Sequence, residues 1–509
     1  MSDVSDQQQH QMGLWPCMSY VIANIIGAGI FITPGPILKY AQSNGLALVV
    51  WLGCGLISLI GGICYIELGT SILEPGCDFA YNVYVGWEAI AFSFMWVGVV
   101  MSFPASAAVQ AQTFGQYIVA GLSPIWTPDD LLKEITERGL GFLLIILLTI
   151  LNLYAIDKYA SKFQVFVTLA KLLSLAVIIV TGFYFLIFKG WTANLENLFG
   201  GSTTDIGDIS LAFYGALWSF AGWDILNYGT PEIHKPRRTM PIALLGGITC
   251  VTLIYLAMNV AYMTVLTKGQ IENSTAIAAD FAQETLGNFS YAIPFMIAVL
   301  LIGTLNSNIF CGSRFTHAAA RQGHLPTFLS CINEESNSPR AALLFQLIFT
   351  ILISFVNTDK LITYVAFVIF GQKAVTMTAL IWIRIRKIEV APGAIHVPLI
   401  FSIVFWFLTC ALVIVPFVEE TMETIVGVIL VLIGLVIYLI FKRPQTMPSF
   451  LVKLNDSLTR ITCRILYSTP DLKSSEDPTS TTNKSPRFTG ESILNDDELQ
   501  NLGPITTHL

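Results

Sequence analysis

The sequence predicts an all-α, polytopic membrane protein. Of its 509 residues, 54% are hydrophobic and 12% charged, with mean hydropathy +0.67; a soluble domain carries about 25% charge. About twelve apolar runs are each long enough to cross a bilayer core, which takes about 20 residues. Two of those runs are interrupted by glycine beside small or polar residues. The charge deficit excludes a soluble enzyme and a disordered chain, and the net charge of −7 excludes a nucleic-acid binder, which needs a basic excess.

The runs fall at 13–43, 46–70, 88–118, 139–156, 161–188, 207–232, 241–265, 290–318, 341–357, 360–384, 397–418 and 423–441. Residues 1–12 are polar and lack the basic start of a secretory signal. An even number of spans puts both ends on one side. With the ends cytosolic, the inner loops and flanks hold thirteen Lys and Arg against six outside, which is the positive-inside pattern. Both termini are therefore expected in the cytosol. All nine cysteines then lie in spans or on the cytosolic side, so no disulfide framework is expected, and no spacing suggests a metal.

Span one contains IIGAGIFITPGP (25–36) and span six SFAGWD (219–224). Bare backbone is costly in lipid and survives where it lines a cavity. Breaks five helices apart, at matching places in two five-helix repeats, point to a transporter's binding site. Packing glycines are the competing reading. The N–H groups of Gly27, Ala28 and Gly29 suit a carboxylate, and carbonyls at 24–26 and 218–221 suit an ammonium group. Together they describe the head group of an α-amino acid. Trp218 and Trp223 flank the second break as candidate walls or gates.

Intramembrane charges are functional candidates by default. They are Lys171 in span five, Asp224 at the second break and Lys373 in span ten. For Lys373 the competing readings are snorkelling or a structural pair with a carboxylate. Glu67 and Glu232, near span ends, read as structural partners of inner-loop arginines.

IIGAGIF (25–31), GGICYIELG (61–69), AFYGALWSFAGWDILNY (212–228), PRRTMPIAL (236–244), RQGHLP (321–326) and LIWIRIRK (380–387) resemble, in order and spacing, the L-type or heteromeric amino acid transporter light chains. That group lies in the amino acid–polyamine–organocation superfamily, and the resemblance covers about residues 13–443. It implies a leucine-transporter-type 5+5 inverted repeat with helices 1 and 6 broken, working mostly as an obligatory exchanger. It further implies that Gly27, Ala28, Gly29 and Ile30 meet the substrate carboxylate and that carbonyls near Ile25 and Trp218 meet the amine. By the same resemblance Trp218 is the gating aromatic, and Lys171 stands in for sodium.

Five positions depart from the pattern. Ala28 replaces a frequent serine. Ala221 stands where carriers of dibasic substrates can hold an acid, and Asp224 replaces a frequent asparagine, which bears on cationic substrates or a proton. Lys373 stands at a usually apolar position. Ile125, in the outer loop 119–138, replaces the cysteine that light chains bond to a heavy chain. No disulfide-linked heavy chain is therefore expected, similar to a branch of nematode transporters. Asn273-Ser274-Thr275 offers a glycan acceptor in an outer loop.

Residues 444–467 form a juxtamembrane segment in which Phe450, Leu454, Leu458, Ile461 and Ile465 share a helical face beside Lys453, Arg460 and Arg464. That pattern fits a helix on the anionic inner leaflet. Residues 468–509 are rich in Ser, Thr, Asp and Asn, expected disordered, and end with Thr507 and Leu509 placed as a PDZ-domain ligand. The expected function is a sodium-independent exchanger of neutral L-amino acids in the plasma membrane, with no cofactor and no enzyme chemistry. The alternatives are a cationic amino acid or polyamine carrier and a poorly transporting sensor or scaffold.

Overall fold

The computed structural model describes residues 12–472, apart from 75, 124, 127–128, 155–156, 231–232, 334–335, 337, 416–420 and 443–447. Glu232, Thr507 and Leu509 thus lie outside the described residues. The first run folds as α1 (Leu14–Ile25), α2 (Gly29–Ile32) and α3 (Pro34–Ala41). Next come α4 (Asn44–Ser71), capped by the Ser43 side chain on the Leu46 N–H, and the short α5 (Asp78–Tyr84). Helix α6 (Glu88–Val97) runs through a widened turn at Gly98–Ser102 into α7 (Phe103–Leu122). Pro104, which has no N–H to offer the preceding turn, sits just beyond that widening.

Then follow α8 (Asp130–Leu153), α9 (Asp157–Phe188), α10 (Ile206–Ser219), α11 (Pro236–Val265), α12 (Lys268–Asn273) and α13 (Ile277–Leu286). The chain continues as α14 (Ala292–Arg321), α15 (Arg340–Ile353), α16 (Thr358–Arg386), α17 (Leu399–Ile414), α18 (Thr421–Ile437) and α19 (Ser449–Leu466). Among the described residues, eight helical segments are long and apolar enough to cross a membrane, and α15 and α17 are shorter apolar helices. The chain is an all-helical polytopic membrane protein, with one two-residue antiparallel pair among the described residues. In it β1 (Cys331–Ile332) meets β2 (Thr469–Pro470), so the ordered chain continues past 468, where the sequence pattern put the start of the tail.

Helix α11 packs on α1 and α4, α10 on α3 and α16, and α7 on α8 and α14. Trp51, Phe220 and Tyr255 join α4, the second break and α11 in one aromatic cluster, with ring centroids 5.1–6.2 Å apart. Glu67 at the end of α4 meets Arg384 Nε at 2.5 Å, the structural pairing its place at a span end suggests.

Candidate functional site

The two interrupted helices are held against each other. Helix α1 ends at Ile25, and Ile26, at φ −69° and ψ 88°, leaves helical space before α2 begins at Gly29. That bend takes the usual carbonyl partners away from the N–H groups opening α2. Helix α10 ends at Ser219, Gly222 takes φ +94°, and a tight turn runs over Trp223–Tyr228. Glycine adopts that left-handed conformation without steric cost.

Close approach explains two of the glycines. A methyl group on Gly29 would lie 2.6 Å from Ser219 Oγ and 2.7 Å from its Cα, and one on Gly222 would lie 2.3 Å from Asn24 Nδ2. Asn24 Nδ2 donates to the Gly222 carbonyl at 2.8 Å, and the Thr33 and Ser219 hydroxyls are 2.7 Å apart. Gly27 differs: the nearest atom to an added methyl is the Ile25 carbonyl at 3.8 Å. The packing reading therefore holds for Gly29 and Gly222 and leaves Gly27 open.

Ile25, Ala28, Gly29 and Ile30 are buried, and Gly27 is half-buried. The carbonyls expected to be free need a correction. Tyr255 Oη of α11 stands 3.0 Å from both the Ile25 and the Ser219 carbonyl, and the Trp218 carbonyl accepts the Ala221 N–H at 3.1 Å. Unwound backbone in a dry interior needs donors, and Tyr255 supplies one from a helix whose sequence gives no hint of it. Lys171 of α9 is buried and donates to the Ala23 carbonyl at 3.1 Å. An ammonium there faces the negative end of α1.

Lys373 of α16 is buried and paired with a carboxylate, one of the two competing readings its place in the sequence allowed. Its Nζ donates to Asp224 Oδ2 at 2.6 Å and lies 4.5 Å and 4.7 Å from the ring centroids of Trp223 and Tyr65. Asp78 accepts from the Tyr65 hydroxyl. Cys77, Asp78 and Asp224 bring their ligand atoms within 4.8 Å of one another, a donor set of the kind that takes a cation. The Lys373 ammonium is the cation that meets it. Asp78, Tyr65 and Cys77 lay outside the sequence reading because 146 or more residues separate them from Asp224 in the chain.

One cavity borders this centre, and another opens beside the residues that follow the first break. The first, of about 20 Å³, is lined by Ile57, Ser58, Leu217, Trp218, Ala221, Trp223, Ala366, Ile369, Phe370, Lys373 and Phe405. It has room for about one water; ligand sites run to about 300–1,000 Å³. The other, about 380 Å³, is a polar vestibule reached from Lys39, Glu134, Glu137, Arg138, Glu272 and Asp359, with Asn273 at its edge. Ile32 lines the vestibule and Trp218 the small cavity, and both pack against the same apolar cluster around Leu361, Ile362 and Val365. That cluster thus touches one lining residue of each space. Residues 27–30 line neither.

Residues 12–441 match the amino acid permease family model. The chain belongs to the amino acid permease family. The permease is 42% identical over 445 residues to "Amino acid transporter protein 6" of Caenorhabditis elegans, covering 87% of this chain and 85% of that one. It is 34% identical over 473 residues to the mouse "Asc-type amino acid transporter 1", covering 92% and 88%, and 32% identical over 470 residues to the human "Cystine/glutamate transporter", covering 91% and 92%. The permease is an amino acid transporter of the heteromeric light-chain type, not an enzyme, as the six sequence motifs imply.

Proposed function

We propose that the permease is a sodium-independent exchanger of neutral L-amino acids in the plasma membrane, working by alternating access around the two breaks. The carrying observation is the contact of Asp224 with Lys373, a residue of the small cavity's wall. It cancels the one acid at the second break that would attract a cationic side chain, and the rest of that wall is apolar apart from Ser58. This argues against the cationic and polyamine alternative. The Lys171 contact with Ala23 puts a fixed ammonium beside the first break, in keeping with transport that needs no sodium. Gly27, Ala28, Gly29 and Ile30 are the reading's carboxylate contacts, Ile25 and Trp218 supply carbonyls for the amine, and Ala221, Trp223 and Asp224 border the side chain.

A twelve-span, 5+5 inverted-repeat topology with cytosolic ends fits two pairings. Met12 bridges to Ile233 across six proposed spans, and Cys331–Ile332 pair with Thr469–Pro470 across four. Paired strands share one side of a bilayer, so both counts must be even. Ile125 is exposed and, not being cysteine, offers no thiol to a heavy chain; the reading includes no disulfide-linked subunit. Asn273, exposed at the vestibule edge, is the proposed glycan acceptor, and Thr507 with Leu509 the proposed PDZ ligand.

The test is uptake of labelled leucine in sodium-free medium by proteoliposomes holding this chain alone. Uptake accelerated by unlabelled amino acid on the opposite side is expected. Failure to transport leucine while arginine enters would overturn the neutral reading. Deleting Leu509 is expected to abolish capture by an immobilised PDZ domain with the transport rate unchanged.

A further inference from the structure

Helix α19 turns its polar side toward the protein. Its buried residues are Asn455 and Thr459, while Phe450, Leu454, Leu458, Ile461 and Ile465 are 40–71% exposed. Asn455 accepts the Thr327 N–H and donates to the Thr327 hydroxyl, both at 3.0 Å. The next residues are fastened as tightly. Arg340 Nη1 donates to the Leu466 carbonyl at 2.8 Å, Asn333 Nδ2 to the Tyr467 carbonyl at 2.6 Å, and Arg321 meets Asp471 at 3.2 Å. With the β1–β2 pair, these bonds strap α19 across the connection from α14 to α15.

Inside the strap, Cys331 Sγ and Cys463 Sγ are 3.7 Å apart. Cys331 is fully buried and Cys463 half-buried. The hydrogen bond from Cys331 holds the Cys463 thiol below its ordinary range, and the same bond, with burial, pushes Cys331 up. One sulfur is thus the more acidic and the more accessible, and the other is its fixed neighbour. A disulfide needs the sulfurs at about 2.05 Å, a closure of the size that side-chain rotation supplies. Bonds on both sides of each cysteine hold the pair in register meanwhile.

We propose that Cys331 and Cys463 form a reversible oxidation site, closed by a peroxide, that clamps α19 to the α14–α15 connection and slows transport. The Cys463 thiolate attacks one peroxide oxygen; the S–O bond forms, the O–O bond breaks and hydroxide leaves, taking back as water the proton that Cys463 gave up on ionising, so that Cys463 is left as a sulfenic acid. The Cys331 sulfur then attacks the Cys463 sulfur, the S–S bond forms, and hydroxide departs with the Cys331 proton as a second water. Two thiols lose two electrons and hydrogen peroxide gains them; a dithiol reductant reverses the step. The brake follows from what the strap joins. Lys442, at the end of the last span, donates to the Gly323 carbonyl at 3.1 Å, so the clamp gathers the ends of α14, α15 and that span, and alternating access moves helix ends against one another.

The proposal rests on the cytosolic placement of this face, where thiols start reduced. The full-length permease in cells is treated with hydrogen peroxide, alkylated and digested, and leucine uptake is followed in parallel. A peptide joining Cys331 to Cys463, lighter by two hydrogens, is expected with a severalfold fall in uptake that dithiothreitol restores. Cys463→Ser and Cys463→Ala, at a half-buried position, are expected to keep basal uptake and to ignore peroxide. Both thiols remaining open to alkylation, or a linked peptide with unchanged uptake, would overturn the proposal. A membrane-impermeant maleimide that labels Cys463 in unopened cells would instead overturn the orientation on which it rests.

Discussion

Lys373 Nζ lies 2.6 Å from Asp224 Oδ2 across a gap of 149 residues, and both side chains are buried. The contact joins α16 to the segment after the second break, and its Lys373 side forms part of the small cavity's wall. Losing one partner of a buried pair strands a charge, at a cost of about 3–5 kcal/mol. Lys373→Met and Asp224→Asn are each expected to lower the detergent melting temperature markedly. The double variant is expected to regain most of it, since no stranded partner remains at that pair. Folded Lys373→Met leaves Asp224 and Asp78 uncompensated, so labelled arginine uptake is expected to rise relative to leucine.

Trp218, which lines the small cavity, and Ile32, which lines the vestibule, pack against the same apolar cluster. Trp218→Ala removes the indole ring from that contact. Leucine uptake is expected to fall severalfold with surface biotinylation unchanged. Kinetics equal to the parent would take Trp218 out of the gate.

Gly29 and Gly27 separate packing from binding. Gly29→Ala drives a methyl group to 2.6 Å from Ser219 Oγ, and overpacking of this kind costs about 1–3 kcal/mol. A lower melting temperature is expected. Gly27→Ala meets nothing closer than 3.8 Å, so stability is expected to hold while the KM for leucine rises. A stability loss at Gly27 equal to that at Gly29 would make both glycines structural.

His324, beyond the end of α14, is edge-on to Phe79 and Phe92 at 5.2 and 6.3 Å. Burial, with Lys442 adding to it, pushes its pKa from 6.5 down to about 4. Between those values the unfolded chain binds a proton that the folded chain refuses, so stability rises with pH in that window. Full stability is expected above pH 6.5, falling as pH drops toward 4 by up to about 1.4 kcal/mol per unit. Melting curves at pH 7 and 5 check this, with His324→Phe expected to flatten the difference.

Hydropathy determined the class of this protein and the order of its helices, because lipid demands about 20 apolar residues per crossing whatever they pack against. It also located both breaks, since Gly27, Gly29 and Gly222, beside proline and polar residues, interrupt otherwise apolar runs. Six motifs carried the family. What the glycines do was decided only in three dimensions: Gly29 and Gly222 make room for Ser219 and Asn24, partners that no local pattern names. The same holds for Tyr255 against the Ile25 and Ser219 carbonyls, for Lys373 on Asp224, and for Cys331 beside Cys463. A buried polar group must find a donor, an acceptor or a counter-charge. The sequence lists the groups that have this need, and the packing of distant helices decides which group answers which.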